Sequence, residues 1–221
     1  MEIPIANRKA AGQALAEALS VYRNCDNVIV LGLPRGGVPV AMEVAEALGA
    51  ALDLMLVRKL GTPGQEELAM GAIASGDIRV INEDVVQALA ISPQVIERVA
   101  AEERNELKRR KQAYRGERPW PKLADQCVIL VDDGLATGAT MRAAVGAVRA
   151  QQPARIVIAV PVAPPDTVAM LRQQADEVVC LAEPEPFRAI GQWYADFSQV
   201  SDEEVRQMLG KAWNEPAEEK T

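Results

Sequence analysis

The 221-residue chain carries 24 basic and 31 acidic side chains, so its formal net charge is −7 at neutral pH. This acidic balance argues against nucleic acid or an anionic membrane as a partner, since both select positive protein surfaces. Histidine is absent, which excludes Ser-His and Cys-His triads and histidine metal centres. A hydrophobic content of 49% is enough for one sizeable core, and we expect a single domain over residues 1–221.

No N-terminal stretch has the form of a signal peptide, and no apolar run approaches the roughly 18 to 20 residues of a membrane span. A cytoplasmic protein is therefore expected. Cys25, Cys127 and Cys180 form an odd set without a CxxC pair, which favours reduced structural thiols over a disulfide framework or a metal site.

The first quarter of the chain alternates between the two periodicities of an α/β fold. Helical spacing from Lys9 to Ser20 precedes a buried strand at Val28 to Leu31. A second helix, from about Val38 to Leu48, precedes a strand at Leu52 to Val57. Such a βαβ unit forms a right-handed parallel pair, so the pattern predicts a parallel sheet.

The stretch after this strand, from Arg58 to Ile81, lacks the helical periodicity of the preceding segment. Leu60 to Gln65 is punctuated by Gly and Pro without apolar periodicity, which predicts a mobile loop after Arg58 and Lys59. Met70 to Ser75 and Ile78 to Ile81 predict two short strands, which would form a hairpin beside the parallel sheet.

Ser92 and Pro93 predict the start of a long helix that reaches about Tyr114. Its many charges favour a solvated arm over a nucleic-acid patch. The later predicted elements are strands at Ile156–Val160 and Val178–Leu181, a helix near Thr167–Gln174 and a last helix after Ser201. The sheet would then have about five parallel strands.

The most informative segment is VILVDDGLATGAT, from Val128 to Thr140. An apolar strand ends at Asp132 and Asp133, and a short loop with Gly138 leads into a helical pattern. At this junction backbone N–H groups and the positive end of a helix would face an anion. The two carboxylates need a sugar diol or a bridging cation beside them, so a sugar phosphate is indicated. The spacing of a P-loop or of a dinucleotide-binding loop is absent.

A second strand-to-helix junction, GLPRGG at Gly32–Gly37, offers adaptable backbone and the cation of Arg35. Ligands of open α/β sheets lie at the carboxyl ends of strands, where the strand order reverses. The two loops are therefore predicted to face one crevice, with a monophosphate at one and a diphosphate at the other.

On these residues the chain resembles the type I phosphoribosyltransferases, which use phosphoribosyl pyrophosphate (PRPP). DDGLATGATM is similar to their PRPP motif, especially in the adenine branch, and GLPRGG to their pyrophosphate loop. VRKLGTPG is similar to the opening of their flexible catalytic loop. The resemblance covers roughly residues 28–160, apart from a helical insertion near residues 84–123 that has no match in the adenine branch.

The resemblance implies an open, mostly parallel sheet flanked by helices, and Mg²⁺-dependent transfer of phosphoribose from PRPP to a nitrogen nucleophile, with a nucleobase as the expected acceptor. Asp132 and Asp133 would hold the ribose hydroxyls and the metal, directly or through water, and support charge on the sugar. Arg58 and Lys59 would neutralise the leaving diphosphate. Further implied contacts are a 5′-phosphate loop at Ala136, Thr137, Gly138, Ala139 and Thr140, and a pyrophosphate loop at Arg35, Gly36 and Gly37.

The acceptor is less defined. Ala136 stands where the 6-oxopurine enzymes carry an acid for the base proton, which argues against hypoxanthine or guanine, and Glu66 and Glu67 are weak substitutes. A small hood is expected at residues 182–200, in a chain with only 4% aromatic residues. Its aromatic side chains are Phe187, Trp193, Tyr194 and Phe197. They would form either a stacking platform for a flat ring or a satellite core under the last helix.

Two other activities stay open at this level. A PRPP-binding regulator would keep the donor site without transferring anything, and a sugar-phosphate hydrolase or phosphorylase would release ribose independently of a base. The acidic charge disfavours a regulator that binds nucleic acid. The expected partners are PRPP and a nucleobase-like acceptor, and the oligomeric state is open, with a homodimer as one candidate.

Overall fold

The computed structural model describes residues 3–76 and 78–214. The side chains of Glu66 and Glu67 and the predicted polar tail after residue 214 fall outside the described part. The helices are α1 (Arg8–Ala18), α2 (Gly37–Leu48), α3 (Glu83–Ala88), α4 (Pro93–Arg115), α5 (Ala139–Arg149), α6 (Pro165–Leu171) and α7 (Asp202–Asn214). The strands are β1 (Val28–Gly32), β2 (Ala51–Leu54), β3 (Val57–Thr62), β4 (Gln65–Ala74), β5 (Ile78–Ile81), β6 (Cys127–Val131), β7 (Arg155–Val162) and β8 (Glu177–Ala182).

The main sheet has five parallel strands in the order β2-β1-β6-β7-β8, as predicted. From β1 the chain continues to β2 on one side, and from β6 it continues to β7 and β8 on the other. The strand order therefore reverses between β1 and β6. Gly32 at the end of β1 pairs with Val131 at the end of β6, so the loops that follow these two strands begin side by side.

Helices cover both faces of the sheet, which explains the continuous apolar runs of its strands. Val128 and Leu130 of β6 pack in a core with α5, whereas Ile129 and Val131 pack on the other face with α1 and α2. All five residues of β6 are buried. The carboxyl end of β6 is therefore held from both sides.

A second, antiparallel sheet has the order β3-β4-β5. The predicted hairpin between β4 and β5 is confirmed, but the prediction of a mobile loop at Leu60–Gln65 is wrong. Only Pro63 and Gly64 form the turn, while the flanking residues continue β3 and begin β4. The Gly and Pro content hid a strand because Leu60 is fully buried, in a core with Met70 and Ile73.

The long helix α4 begins as predicted, with the Ser92 hydroxyl accepting from the backbone N–H of Val95. Ile96 and Ala100 are buried against the second sheet. A solvated arm therefore describes only the outer face of α4.

The carboxyl end of α4 is anchored by a buried ion pair between Arg115 and Asp53 of β2. The Arg115 guanidinium lies 5.3 Å from the ring centre of Trp120 and 5.6 Å from that of Trp213 on α7. Burial lowers the pKa of Arg115 to about 10. Trp213 Nε1 donates to the carbonyl oxygen of Leu52 over 2.9 Å. These contacts join α4, α7 and β2.

Cys25, Cys127 and Cys180 are free thiols. Among the residues that the structure describes, no helix combines the length and the apolar character that crossing a membrane requires.

Candidate active site

The loops that follow β1 and β6 touch each other at the point where the strand order reverses. A Cβ atom at Gly36 would overlap Asp133 Oδ2. A Cβ atom at Gly37 would lie 2.7 Å from the carbonyl oxygen of Val131 and 2.9 Å from Asp132 Cα, closer than such atoms can approach. The sequence therefore needs glycine here for the loops to meet, and their predicted meeting in one crevice is observed.

The two acids of the motif differ in their surroundings. Asp132 is half-buried, and its Oδ1 accepts the backbone N–H of Asp133 over 2.9 Å. Asp133 is only 8% exposed, and its Oδ2 accepts from Arg8 Nε over 2.8 Å. Arg8, at the start of α1, also donates to the carbonyl oxygen of Ser198 over 2.7 Å.

Burial, followed by the negative charge of Asp133, raises the pKa of Asp132 well above its ordinary value. Burial also raises the pKa of Asp133, although the positive charge of Arg8 opposes the rise. Ionising both acids is therefore costly in the unliganded protein. A ligand that supplies hydroxyl donors or positive charge offsets this cost.

The segment after the acids forms a loop that leads into α5, and its role as an anion loop stays a prediction. Gly138 has a φ of +70°, and a Cβ atom there would lie 2.8 Å from Thr167 Cγ2. The Thr167 hydroxyl donates to the carbonyl oxygen of Ala136 over 2.7 Å, which fixes the loop from α6. Helix α5 begins at Ala139 after a residue that has no side chain to cap it. Its first-turn N–H groups can therefore bind a phosphate, with the exposed Thr137 beside them.

The cations expected at the diphosphate are held by acids on α4 and α7. Arg58 Nε on β3 donates to Glu103 Oε2 on α4 over 2.6 Å. Arg35 Nη1 lies 3.8 Å from Asp202 Oδ1 on α7. Lys59 follows Arg58 directly in β3, so the two side chains leave opposite faces of the strand. Arg35 and Arg58 are thus each paired with an acid of a helix, and contact of Arg35, Arg58 and Lys59 with a diphosphate stays a prediction.

The hood segment lies against the acid motif. A Cβ atom at Gly134 would be 2.6 Å from Ile190 Cγ2, in the 3₁₀ turn Ile190–Trp193. The N-terminal segment pairs with the hood, since the N–H of Ile5 donates to the carbonyl oxygen of Trp193 over 2.7 Å. The N-terminal segment and the hood therefore form one structural unit beside Asp133.

The four aromatic side chains of the hood form two pairs. Phe187 and Trp193 have ring centres 6.0 Å apart, and those of Tyr194 and Phe197 are 4.9 Å apart. Tyr194 is 6% exposed, and its hydroxyl donates to the carbonyl oxygen of Asp133 over 2.6 Å. Arg8 lies 4.0 Å above the Phe197 ring. The cluster packs as a satellite core with Ala11 of α1 and Val162 of β7, so its predicted position under the last helix is wrong. A stacking role for its half-buried members stays a prediction.

Three functional contacts have no counterpart in the sequence reasoning: those of Arg8, Thr167 and Glu103. Arg8 contacts an acid that is 125 residues away in the chain, and it stands in no recognisable motif. Thr167 and Glu103 lie within predicted helices and look like ordinary helical residues. A sequence pattern reveals local geometry, and these contacts depend on tertiary packing alone.

The reversal of strand order, the two facing anion loops and the paired acids define a class of protein. The chain belongs to the phosphoribosyl transferase domain family, whose model matches residues 4–194. The expected family and the α/β fold are thereby confirmed.

Its curated relatives include the "Putative phosphoribosyl transferase Rv0571c" of Mycobacterium tuberculosis strain H37Rv and its counterpart MT0597 of strain CDC 1551. Each is 46% identical to this chain over 212 residues. The match covers 96% of this chain and 48% of each relative. The chain therefore spans about half the length of the curated relatives it matches.

A solved structure shows the same fold over its whole length. The protein TT1426 from Thermus thermophilus is 45% identical, with a TM-score of 0.86, and the match covers 94% of this chain and 98% of TT1426. The insertion at residues 84–123 and the hood at residues 182–200, as divisions of the domain, stay predictions.

The family implies a magnesium ion, and the donor set suits one. Mg²⁺ is usually held by one or two carboxylates together with substrate phosphates and water. Asp132 and Asp133 supply two carboxylates beside an anion loop. Within residues 3–76 and 78–214 no group of three or more potential ligands surrounds a metal position. These two acids would therefore hold the ion together with oxygens of the ligand.

Proposed function

We propose that this domain transfers the phosphoribosyl group of PRPP to a nitrogen nucleophile and releases pyrophosphate. The observation that carries the proposal is the contact between Gly36 and Asp133, because it sets the GLPRGG backbone beside two carboxylates. The N-terminus of α5 follows the same carboxylates in the chain. A ligand with a phosphate at one end, hydroxyls in the middle and a diphosphate at the other matches this order of groups.

In this proposal the acidic residues contact the sugar, and the basic residues contact the diphosphate. Breaking the bond between the sugar and the diphosphate builds positive charge on the sugar and negative charge on the leaving group. Asp132 and Asp133 would accept hydrogen bonds from the ribose hydroxyls and place negative charge near the sugar. The first-turn N–H groups of α5 would hold the 5′-phosphate and so fix the sugar in place.

On the diphosphate side, Arg35, Arg58 and Lys59 would neutralise the leaving group. Arg58 would exchange its bond to Glu103 for one to the diphosphate, and the doubly charged ligand competes well for a guanidinium. Mg²⁺, when bound, would add further positive charge at the diphosphate oxygens.

The acceptor in this proposal is a nucleobase or a similar flat, nitrogen-containing ring. The support is the position of the hood, whose Ile190 touches Gly134 of the acid motif. Phe187, Trp193 and Phe197 are half-buried there and could offer an apolar surface to a ring. The buried Tyr194 would contribute by fixing the backbone of Asp133.

A PRPP-binding regulator is the second candidate. Arg8 already donates to Asp133 Oδ2 and stacks on the Phe197 ring. The hood is therefore closely packed against the acid motif, which favours a regulator. Such a protein would bind the donor and change the contacts of Arg8 without chemistry.

Purified protein, PRPP, Mg²⁺ and a panel of nucleobases separate these candidates. Release of pyrophosphate together with formation of a nucleotide supports transfer. Calorimetric binding of PRPP without turnover of any base supports the regulator, and base-independent release of ribose 5-phosphate indicates a hydrolase. Absence of PRPP binding by a folded sample contradicts both candidates.

A further inference from the structure

The inner face of α4 carries two charges at positions where apolar residues are expected. The residues that follow one another on this face at helical spacing are Ile96, Ala100, Glu103, Leu107, Arg110 and Tyr114. A helix that packs on a core ordinarily keeps such a stripe apolar. Glu103 is explained by its bond to Arg58, and Arg110 needs an explanation of its own.

Arg110 borders a small cavity of about 20 Å³ between α4 and the strand ends. Other walls of this cavity are Leu33 and Pro34 of the pyrophosphate loop, Val57 of β3 and Thr140 of the anion loop. Arg110 therefore lies where the loops after β1 and β6 approach strand β3. Such a cavity has room for about one water molecule.

The Arg110 guanidinium keeps most of its donors available. Its Nε donates to Glu106 Oε1 over 2.8 Å, and its Nη groups have no hydrogen-bond partner in the part of the chain that the structure describes. The side chain is 32% exposed, and it borders a cavity that both loops line. A planar fork of N–H donors is the usual protein partner of phosphate oxygens.

A network links Arg110 to the predicted diphosphate cation Arg35. Tyr114, one turn after Arg110, donates to Asp202 Oδ1 over 2.6 Å, and Arg35 Nη1 lies 3.8 Å from the same oxygen. Burial raises the pKa of Tyr114 to about 12, helped by Asp202, and the positive charges of Arg110 and Arg35 oppose the rise. The charges of Arg110 on α4 and of Arg35 on the loop after β1 therefore both act on the Tyr114 hydroxyl.

We propose that Arg110 is a diphosphate-binding residue and that α4 supplies it as a further cation beside Arg35, Arg58 and Lys59. This inference deepens the proposed function and rests on it. It also gives the segment at residues 84–123 a role, because its helix then forms one wall of the donor site.

Arg109 offers a matched control. Arg109 and Arg110 both bind Glu106, but Arg109 is 62% exposed and is absent from the walls of the cavity that Arg110 borders. Titration calorimetry would compare Arg110→Gln and Arg109→Gln with the unsubstituted protein, using PRPP, inorganic pyrophosphate and ribose 5-phosphate. Arg110→Gln should weaken binding of PRPP and pyrophosphate by about tenfold or more, and Arg109→Gln by less than about twofold. Ribose 5-phosphate, which lacks the diphosphate, should bind all three proteins alike.

Unchanged binding of pyrophosphate by folded Arg110→Gln would overturn the inference. So would an equal loss for ribose 5-phosphate and pyrophosphate, since a general structural change has that effect. If Arg110→Gln fails to fold, Arg110→Lys carries the test: it keeps the charge without the planar fork, and about threefold weaker binding of pyrophosphate is expected, with no change as the contrary result. Failure of the unsubstituted protein to bind PRPP would contradict the proposed function itself.

Discussion

The sugar side and the diphosphate side of the crevice are held by different forces. On the proposed sugar side, Asp132 and Asp133 extend from the fully buried strand β6, and Asp133 leaves no room for a Cβ atom at Gly36 of the facing pyrophosphate loop. On the diphosphate side, Arg58 is held by a 2.6 Å ion pair on a separate sheet, and Arg35 by a longer contact of 3.8 Å. Packing and the buried Arg8–Asp133 ion pair thus hold the first side, whereas the second depends on more exposed charge pairs that a strongly charged ligand would displace.

This difference predicts different responses to substitution. Substitutions on the sugar side should weaken PRPP binding by steric overlap, because the close-packed core beneath it cannot adjust without cost. Changes on the diphosphate side should act through charge, with smaller effects that salt reduces.

The largest effect is expected from Gly36→Ala. The added methyl group would overlap Asp133 Oδ2 and force the two loops apart, so PRPP affinity should fall by about 100-fold. Calorimetry with PRPP measures this. Gly210→Ala is the control, because a Cβ atom at that position of α7 meets nothing within 4 Å and should leave affinity unchanged. Normal PRPP binding by Gly36→Ala would mean that the sugar side is not rigid.

The double variant Asp132→Asn with Asp133→Asn should come next. It removes two charged acceptors for the ribose hydroxyls, so PRPP binding should weaken by roughly 10- to 100-fold while the fold persists. Circular dichroism and calorimetry on the same sample check both parts. Unaltered affinity would remove these acids from the donor site.

Arg58→Ala should lower turnover about tenfold more than it lowers PRPP affinity, because its charge opposes one that develops in the transition state. Steady-state kinetics and binding measurements give the two values. Arg79→Ala is a matched control, since Arg79 on β5 also pairs with an acid of α4, Glu97, outside the crevice. Equal losses in turnover and affinity would count against a transition-state role.

The smallest expected effect is on stability, and it depends on pH because the folded-state pKa is raised at both acids. Since the folded-state pKa of Asp132 is raised, its ionisation costs stability as pH rises above about 4, the ordinary range of a free carboxyl. Asp132→Asn should therefore melt a few degrees higher at neutral pH, with the gain vanishing in acid. Asp133→Asn should gain less than Asp132→Asn, because Arg8 loses its charged partner in this variant. Thermal melts from acid to neutral pH test both, and a loss for Asp132→Asn at neutral pH would contradict the assigned cost.

The sequence predicted the features that local pattern sets, and it missed those that depend on tertiary packing. The run from Val128 to Thr140 was predictable because strand, loop and helix follow one another directly, and local pattern sets their geometry. Leu60–Gln65 was mispredicted because its glycines and proline suggest a loop, while packing of Leu60 under α4 decides for a strand. Arg8 and Arg110 were beyond prediction, since each meets the site only through tertiary packing. For the hood aromatics, both sequence interpretations stayed open until their burial was known.

The ion pair of Arg115 and Asp53 has a consequence for evolution and for engineering. Glu103 lies twelve residues before Arg115 on α4, or about 18 Å along the helix axis. Trp213 covers the same pair from α7, the helix that also carries Asp202. If Arg35 binds the diphosphate as proposed, substitution of the half-buried Trp213 should alter diphosphate affinity through α7 and Asp202. Sequences that match this chain at every loop residue can still differ in donor affinity for this reason.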